Sequence, residues 1–334
     1  MFQTVTKALM ALTISAAMLA TPVFAEPISI KFSHVVAVDT PKGQAAEFFK
    51  KRAEELTQGK VKIELYPNSQ LYKDKEEMEA LQLGAVQMLA PSLAKFGPLG
   101  VKDFEVFDLP YIFNNDEDLH KITQGPVGQK LLDKLEPKGI KGLAYWDNGF
   151  KSFSANTPIK TPADLKGKKL RIQSSKVLEA QMQALKAIPQ TLAFSEVYQA
   201  LQTGVVDGTE NPISNFYTQK MQEVQKYMTI TNHGYLGYAV IVNKKFWDGL
   251  PADVRTQLET AMKEATVYAN HMANEKAIKD LEAVKATGKT EVTVLTPEER
   301  EAFRAALIPV HEKMTDRIGK ETIDAVYKAV NFKK

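Results

Sequence analysis

The chain has 334 residues, 25% of them charged and 44% hydrophobic, with 43 Lys+Arg against 40 Asp+Glu and no cysteine. That length suits two domains, each with its own core. A formal net charge of +3 argues against a nucleic-acid binder, and the missing cysteines exclude disulfides, thiolate metal sites and a cysteine nucleophile.

At the N-terminus, Lys7 precedes an apolar stretch over residues 8–20, and Val23-Phe24-Ala25 has the small-x-small form of a signal peptidase site. Residues 1–25 therefore read as a cleavable signal peptide. The stretch is too short for a spanning helix of about 20 residues, and no later segment approaches one. The expected mature protein starts near Glu26, is exported to the periplasm and does not span the membrane.

Ile28, Ile30 and Phe32 alternate with polar residues as in a strand. A helical pattern runs from Pro41 through Ala45, Phe48, Phe49 and Leu56 to a stop at Gly59. Val61, Ile63 and Leu65 form a second strand; residues 74–83 read as a helix stopped by Gly84, and residues 85–90 as a short buried strand. Such a β-α-β-α-β run implies parallel strands with crossover helices. The pattern restarts with strands at 140–146 and 151–155. Thr161-Pro162-Ala163-Asp164 has the form of a capped helix start. Strand 169–173, helix 176–185, strand 190–194, a helix capped by Ser195 and ended by Gly204, and strand 205–209 follow. This second α/β block shows no recognisable sequence repeat of the first. Residues 251–286 carry a helical pattern without internal Pro or Gly, about 54 Å long. A coiled coil is one reading of that length; the Ala-rich apolar face favours a strut across two lobes. Thr296-Pro297-Glu298-Glu299 starts another helix, and the tail is helical.

Catalytic constellations are missing from the pattern. Ser92-Leu93-Ala94-Lys95 matches the S-x-x-K form of penicillin-recognising enzymes but has no S-D-N or K-T-G partner. Gly288-Lys289-Thr290 lacks the upstream glycine of a phosphate-binding loop, since position 283 is Ala. The five histidines show no metal-binding spacing. No enzyme activity, cofactor or metal is expected.

The segment from Asn148 to Pro212 is more specific. It contains Asn148-Gly149-Phe150-Lys151, then Thr161-Pro162-Ala163-Asp164-Leu165-Lys166-Gly167-Lys168-Lys169-Leu170-Arg171-Ile172-Gln173-Ser174. It continues with Ala193-Phe194-Ser195-Glu196-Val197-Tyr198-Gln199-Ala200-Leu201-Gln202-Thr203-Gly204-Val205-Val206-Asp207-Gly208 and Glu210-Asn211-Pro212. With Tyr72-Lys73-Asp74-Lys75-Glu76 and Leu81-Gln82-Leu83-Gly84-Ala85, the mature chain resembles the solute-binding component of tripartite ATP-independent periplasmic (TRAP) transporters, in the DctP-like branch. The resemblance implies an α/β periplasmic-binding-protein fold: two lobes with hinge crossings and a long lobe-spanning helix, closing over one small organic acid. Lobe I would be 26–148 with 237–276, and lobe II 149–236 with 277–334. It also implies a monomer that delivers its ligand to membrane permease subunits.

By the same resemblance, Arg171 pairs with the ligand carboxylate and Asn211 hydrogen-bonds it. A guanidinium offers a planar fork to both carboxylate oxygens and stays charged when buried. Lys151 stands where relatives that bind bulky sugar acids carry arginine, a departure compatible with a small diacid. Phe194 would pack on the ligand's carbon skeleton, with Gln173 and Ser174 adding polar contacts. Ser92, Lys73, Lys42 and His34 fall on strand ends or adjoining loops of lobe I, where open α/β sheets place ligands. The expected ligand is a C4-dicarboxylate such as succinate, fumarate or malate. A monocarboxylate (aromatic or 2-oxo acid) is the alternative within the class, and a periplasmic hydrolase or a sensor's receptor subunit the alternatives outside it.

Overall fold

The structure, a computed structural model, describes residues 26–333, so the signal peptide expected at 1–25 lies outside the described residues. Among the described residues nine strands form one mixed sheet: β1 Ile28–Ser33, β2 Val61–Tyr66, β3 Met88–Leu89, β4 Ile140–Ala155, β5 Lys169–Ile172, β6 Ile188–Thr191, β7 Gly208–Asn211, β8 Tyr227–Asn243 and β9 Glu291–Val294. Their order is β2-β1-β3-β8-β4-β7-β5-β6, with β9 beside β8. The parallel trio β2-β1-β3 and the parallel trio β7-β5-β6 are the two expected α/β blocks. Between them β4 and β8 run antiparallel from Ile140↔Asn243 to Ala155↔Tyr227. The first trio attaches at Met88↔Val242, the second at Ser152↔Asn211, so these two strands carry the chain from one half to the other. The ladder is interrupted between Gly142 and Ala144, between Asp147 and Gly149, and between Lys151 and Phe153, and the second of these lies midway between the attachments. A bulge there bends the strand and loosens the pairing where two halves would flex.

β8 is the longest strand that sequence patterning does not reveal. Nearly all of its residues are buried, so no period-two alternation survives. The expected strands at 140–146 and 151–155 are one continuous β4, and the strand at 85–90 shrinks to Met88–Leu89. Thr161 and Asp164 do form their reciprocal cap, but over a single 3-10 turn, Pro162–Leu165, before Gly167 turns the chain away.

The halves also share a repeat. Ala80-Leu81-Gln82-Leu83-Gly84-Ala85-Val86 and Ala200-Leu201-Gln202-Thr203-Gly204-Val205-Val206 coincide at five of seven positions. Both glycines are left-handed, with φ of 78° and 73°, as a helix stop before a strand requires. The next residue repeats its role as well. Gln87 accepts the Lys31 N–H through its side chain and donates its own N–H to the Lys31 carbonyl, and Asp207 does both to Lys169.

The long helix, Ala252–Ala286, spans about 52 Å. Val254, Leu258, Ala261 and Ala265 pack with Ile30, Phe49 and Trp146 in the first half. Val284 joins Val35, Phe194, Val197 and Phe216 at the other end. The helix is thus a strut rather than one strand of a coiled coil. The C-terminal helix Lys320–Val330 packs on the helix Asp116–Thr123 through Ile323, Val326, Leu119 and Ile122.

Candidate functional site

The C-terminal ends of β1, β3, β5 and β7 meet on one side of the β4–β8 pair. Two connected spaces lie there. An outer recess of about 410 Å³ includes Lys73, Asp74, Lys95, Arg171, Gln173 and Ser174 in its lining. It shares Asp74 and Gln173 with a tight inner cavity of about 10 Å³, whose walls include Lys42, Ser92, Phe194, Asn211 and Tyr238. A larger groove of about 810 Å³ lies elsewhere, against β4 and the long helix, and its walls carry none of the residues expected to bind ligand.

Arg171 projects from the middle of β5, paired on both sides with Gln190 and Thr209, and is 2% exposed. Its Nε and Nη2 donate to the Leu192 carbonyl at 3.1 and 2.9 Å, while Nη1 makes no hydrogen bond among the described residues. Its guanidinium carbon lies 5.7 Å from the centre of the Phe194 ring, within cation–π range. Burial lowers its pKa, opposed by Asp74, Glu210 and Glu196, yet an arginine remains charged. Asn211 closes β7. Its Nδ2 donates to Thr209 Oγ1 at 3.1 Å, and its Oδ1 is buried without a partner.

Lys42 enters from the opposite half, on the first turn of the helix Pro41–Leu56, capped by Thr40, whose Oγ1 accepts the Gly43 N–H. A Cβ on Gly43 would lie 2.4 Å from the Ala37 carbonyl oxygen, so the helix start sits tight against residues 37–38. Lys42 Nζ donates to the Ala90 carbonyl at 2.8 Å and lies 3.7 Å from the centre of the Tyr238 ring.

Three contacts join the halves across the recess. Gln173 Nε2 donates to Ser92 Oγ at 2.7 Å, Lys73 pairs with Glu196 at 2.9 Å, and the Phe194 N–H donates to Asp74. The other Asp74 oxygen takes Lys95. Burial pushes the Asp74 carboxyl up, but Lys95, Arg171 and the Phe194 N–H outweigh it and hold it below the usual carboxylate range. Of these contacts only Lys73–Glu196 is half-exposed, and such pairs contribute little. Lys73→Ala is expected to leave the melting temperature nearly unchanged and to shift ligand affinity by less than about fivefold, by calorimetry.

The structure therefore brings Arg171, Asn211, Phe194, Gln173, Ser174, Ser92, Lys73 and Lys42 together, and leaves two expected residues off these walls. His34 is buried beside Phe32, with Nδ1 unpartnered. Lys151 lies on β4, where Nζ pairs with Glu210 Oε1 at 2.7 Å, both side chains no more than 2% exposed. Its stem has room because Gly234 faces it on β8; a Cβ there would lie 3.0 Å from Lys151 Cε. Glu210 Oε2 accepts from His233 Nε2 at 2.8 Å, and His233 Nδ1 meets the Thr231 hydroxyl at 2.7 Å. Burial raises the Glu210 carboxyl, but Lys151 and His233 overcome it and hold the group at about 2.

Sequence reasoning overlooked Asp74, Glu77, Lys95, Glu210 and Tyr238. The only signal for Lys95 is the motif Ser92-Leu93-Ala94-Lys95, which supplies Ser92 to the inner cavity and Lys95 to the outer recess.

Residues 32–317 match the model of DctP, bacterial extracellular solute-binding protein family 7. The chain is 70% identical over 308 residues to the C4-dicarboxylate-binding periplasmic protein DctP of Rhodobacter capsulatus, covering 92% of each. A TRAP periplasmic solute-binding protein from Shewanella oneidensis, solved with bound succinate, superposes with a TM-score of 0.89 at 44% identity, covering 91% of this chain and 99% of that one. A TRAP periplasmic solute-binding protein from Pseudomonas aeruginosa, solved with bound L-malate, superposes with a TM-score of 0.84 at 46% identity, covering 86% and 100%.

Proposed function

The chain belongs to the DctP family of bacterial extracellular solute-binding proteins, and from that premise we propose that it captures a C4-dicarboxylate such as succinate, fumarate or malate in the periplasm and hands it to membrane permease subunits. The observation that carries this reading is the convergence of two buried cations, Lys42 from one half and Arg171 from the other, around Asp74 and Gln173. A diacid presents two carboxylates, and each end then has its own cation. Arg171 receives one in its planar fork. Asn211 assists: with its amide turned over, Thr209 donates to Oδ1 and Nδ2 points at the ligand. Lys42 receives the other. At about 10 Å³ the inner cavity holds no more than a water, so a diacid enters it only when the halves part. The succinate and L-malate held by the two similar solved proteins support the same ligand class.

Closure brings a lobe built on the β2-β1-β3 trio and a lobe built on the β7-β5-β6 trio together about the interruption near Asp147 and Gly149; the helix Lys320–Val330, expected in lobe II, packs instead on Asp116–Thr123 of lobe I. Three charge-assisted hydrogen bonds of roughly 1.5–3 kcal/mol each supply about 4.5–9 kcal/mol before ordering costs, so the affinity expected from them alone is no tighter than micromolar, about −8 kcal/mol. The test is thermal shift and calorimetry with diacids and monoacids of matched length. Succinate at about 100 times its Kd should stabilise the fold by about 2.7 kcal/mol and be recovered unchanged after long incubation. Equal binding of butyrate would reassign the ligand to a monocarboxylate, and turnover would make the protein a hydrolase.

A further inference from the structure

Four charged side chains are sealed beside the inner cavity: Lys42, Asp74, Glu77 and Lys95, each no more than 8% exposed. Their pairing is lopsided. Lys95 and the Phe194 N–H satisfy Asp74. Lys42 has one hydrogen bond, to a neutral carbonyl, and the face of the Tyr238 ring, and it forms no ion pair among the described residues. Glu77 Oε1 is buried without a hydrogen-bond partner. Lys42 also sits at a helix N-terminus, whose dipole disfavours a cation. A buried ammonium and a buried carboxylate, each short of partners, are costly when charged.

We propose that the cleft takes up its diacid together with a proton: the ligand's second carboxylate charges Lys42, and Glu77, a positioning residue beside it, governs that uptake. This rests on the diacid reading above.

The surrounding charges set the direction. Burial pushes Lys42 down to about 7; Glu77 and Asp74 oppose the fall and Lys95 adds to it. Burial pushes Glu77 up to about 7, with Lys95 and Lys42 opposing and Asp74 and Glu76 assisting. His34, forced down to about 3 by burial and by Lys42, stays neutral, as does Tyr238, raised by burial. Arg171 acts on this group through Asp74. Near neutral pH the ligand-free cleft therefore holds Lys42 and Glu77 partly protonated. A carboxylate arriving at Nζ favours the ammonium and disfavours the Glu77 anion, so both effects draw a proton in. Below about pH 6 both groups already hold their protons, and affinity is flat; above about pH 8 binding must bring a proton with it, and affinity falls by up to about tenfold per pH unit.

Fumarate, ionised at both ends over this range, is the probe. Calorimetry in phosphate and in Tris, whose ionisation enthalpies differ, should read an uptake near zero at about pH 6 and approaching one proton at about pH 8.5. Glu77→Gln removes a carboxylate that supports the Lys42 charge, so the fall in affinity should begin at lower pH. Lys42→Arg, fixed in charge, should flatten it. Fumarate binding with a buffer-independent enthalpy at every pH overturns the inference alone. Absence of binding to fumarate, succinate and malate overturns the ligand reading and this inference with it.

Discussion

Arg171→Ala is expected to weaken succinate binding at least tenfold, and about a hundredfold if both fork hydrogen bonds to the carboxylate are lost. One charge-assisted hydrogen bond contributes about 1.5–3 kcal/mol, and 1.4 kcal/mol is a factor of ten. The loss stays below the full Coulomb energy of a buried pair because Asp74 already interacts with this guanidinium. Ligand binding adds a better placed carboxylate beside the one already there, and does not create an ion pair from nothing. Arg171→Lys should fall between wild type and alanine, keeping a charge while losing the fork. The alanine variant also deprives the Leu192 carbonyl of both its guanidinium donors, so the melting temperature without ligand has to be measured beside the affinity. Unchanged affinity for succinate in a folded Arg171→Ala protein would sink the assignment of this residue.

Where the fold was legible in the sequence, one face of an element was buried and the other was not. The helix Pro41–Leu56, the strand Val61–Tyr66 and the strut Ala252–Ala286 all show that periodicity. β8 was hidden for the opposite reason, since burial on both faces erases alternation. The repeat was hidden because it is short: its identities cluster at the helix stop and strand entry, where backbone geometry dictates the residue, and drift once the strands reach the cleft. There Ala90 stands opposite Glu210 in the repeat's register, and Pro91 opposite Asn211. The site followed the same logic. Arg171 and Asn211 stand in a long ordered motif, whereas Asp74, Glu77 and Lys95 read as ordinary solvated charges. Only the fold removes the water from them, and a charge's surroundings are not written in its own position. Lys151 shows this most plainly, because Glu210, which pairs with it, and His233, which holds Glu210, come from strands 59 and 82 residues further along.

Glu210→Gln and Lys151→Met are expected to destabilise the protein unequally, and Lys151→Met to flatten the dependence of stability on pH. In the wild type, His233 Nε2 donates to Glu210 while Nδ1 accepts from Thr231, so the ring needs no second proton. Burial lowers the His233 pKa, Lys151 adds to that, and Glu210 opposes it. A histidine depressed in the fold is protonated first in the unfolded chain, so its contribution is lost as pH falls through about 6.5. Glu210, held at about 2, loses its contribution as pH falls from about 4.5 toward 2. Wild-type stability should therefore rise with pH across this range. Glu210→Gln strands a buried ammonium and should cost about 3–5 kcal/mol near neutral pH. Lys151→Met leaves burial, the larger cause of the low His233 pKa, in place and removes the smaller one, so beside an unpaired Glu210 the imidazole takes up a proton at higher pH than in the wild type. Its pKa moves back toward the unfolded value, so less stability is lost on acidification and this variant should show a shallower rise of stability with pH than the wild type. Urea unfolding at a series of pH values from about 5 to 8 reads both slopes. Parallel slopes for wild type and Lys151→Met would show that His233 does not answer the missing lysine, and would refute this account of the buried triad.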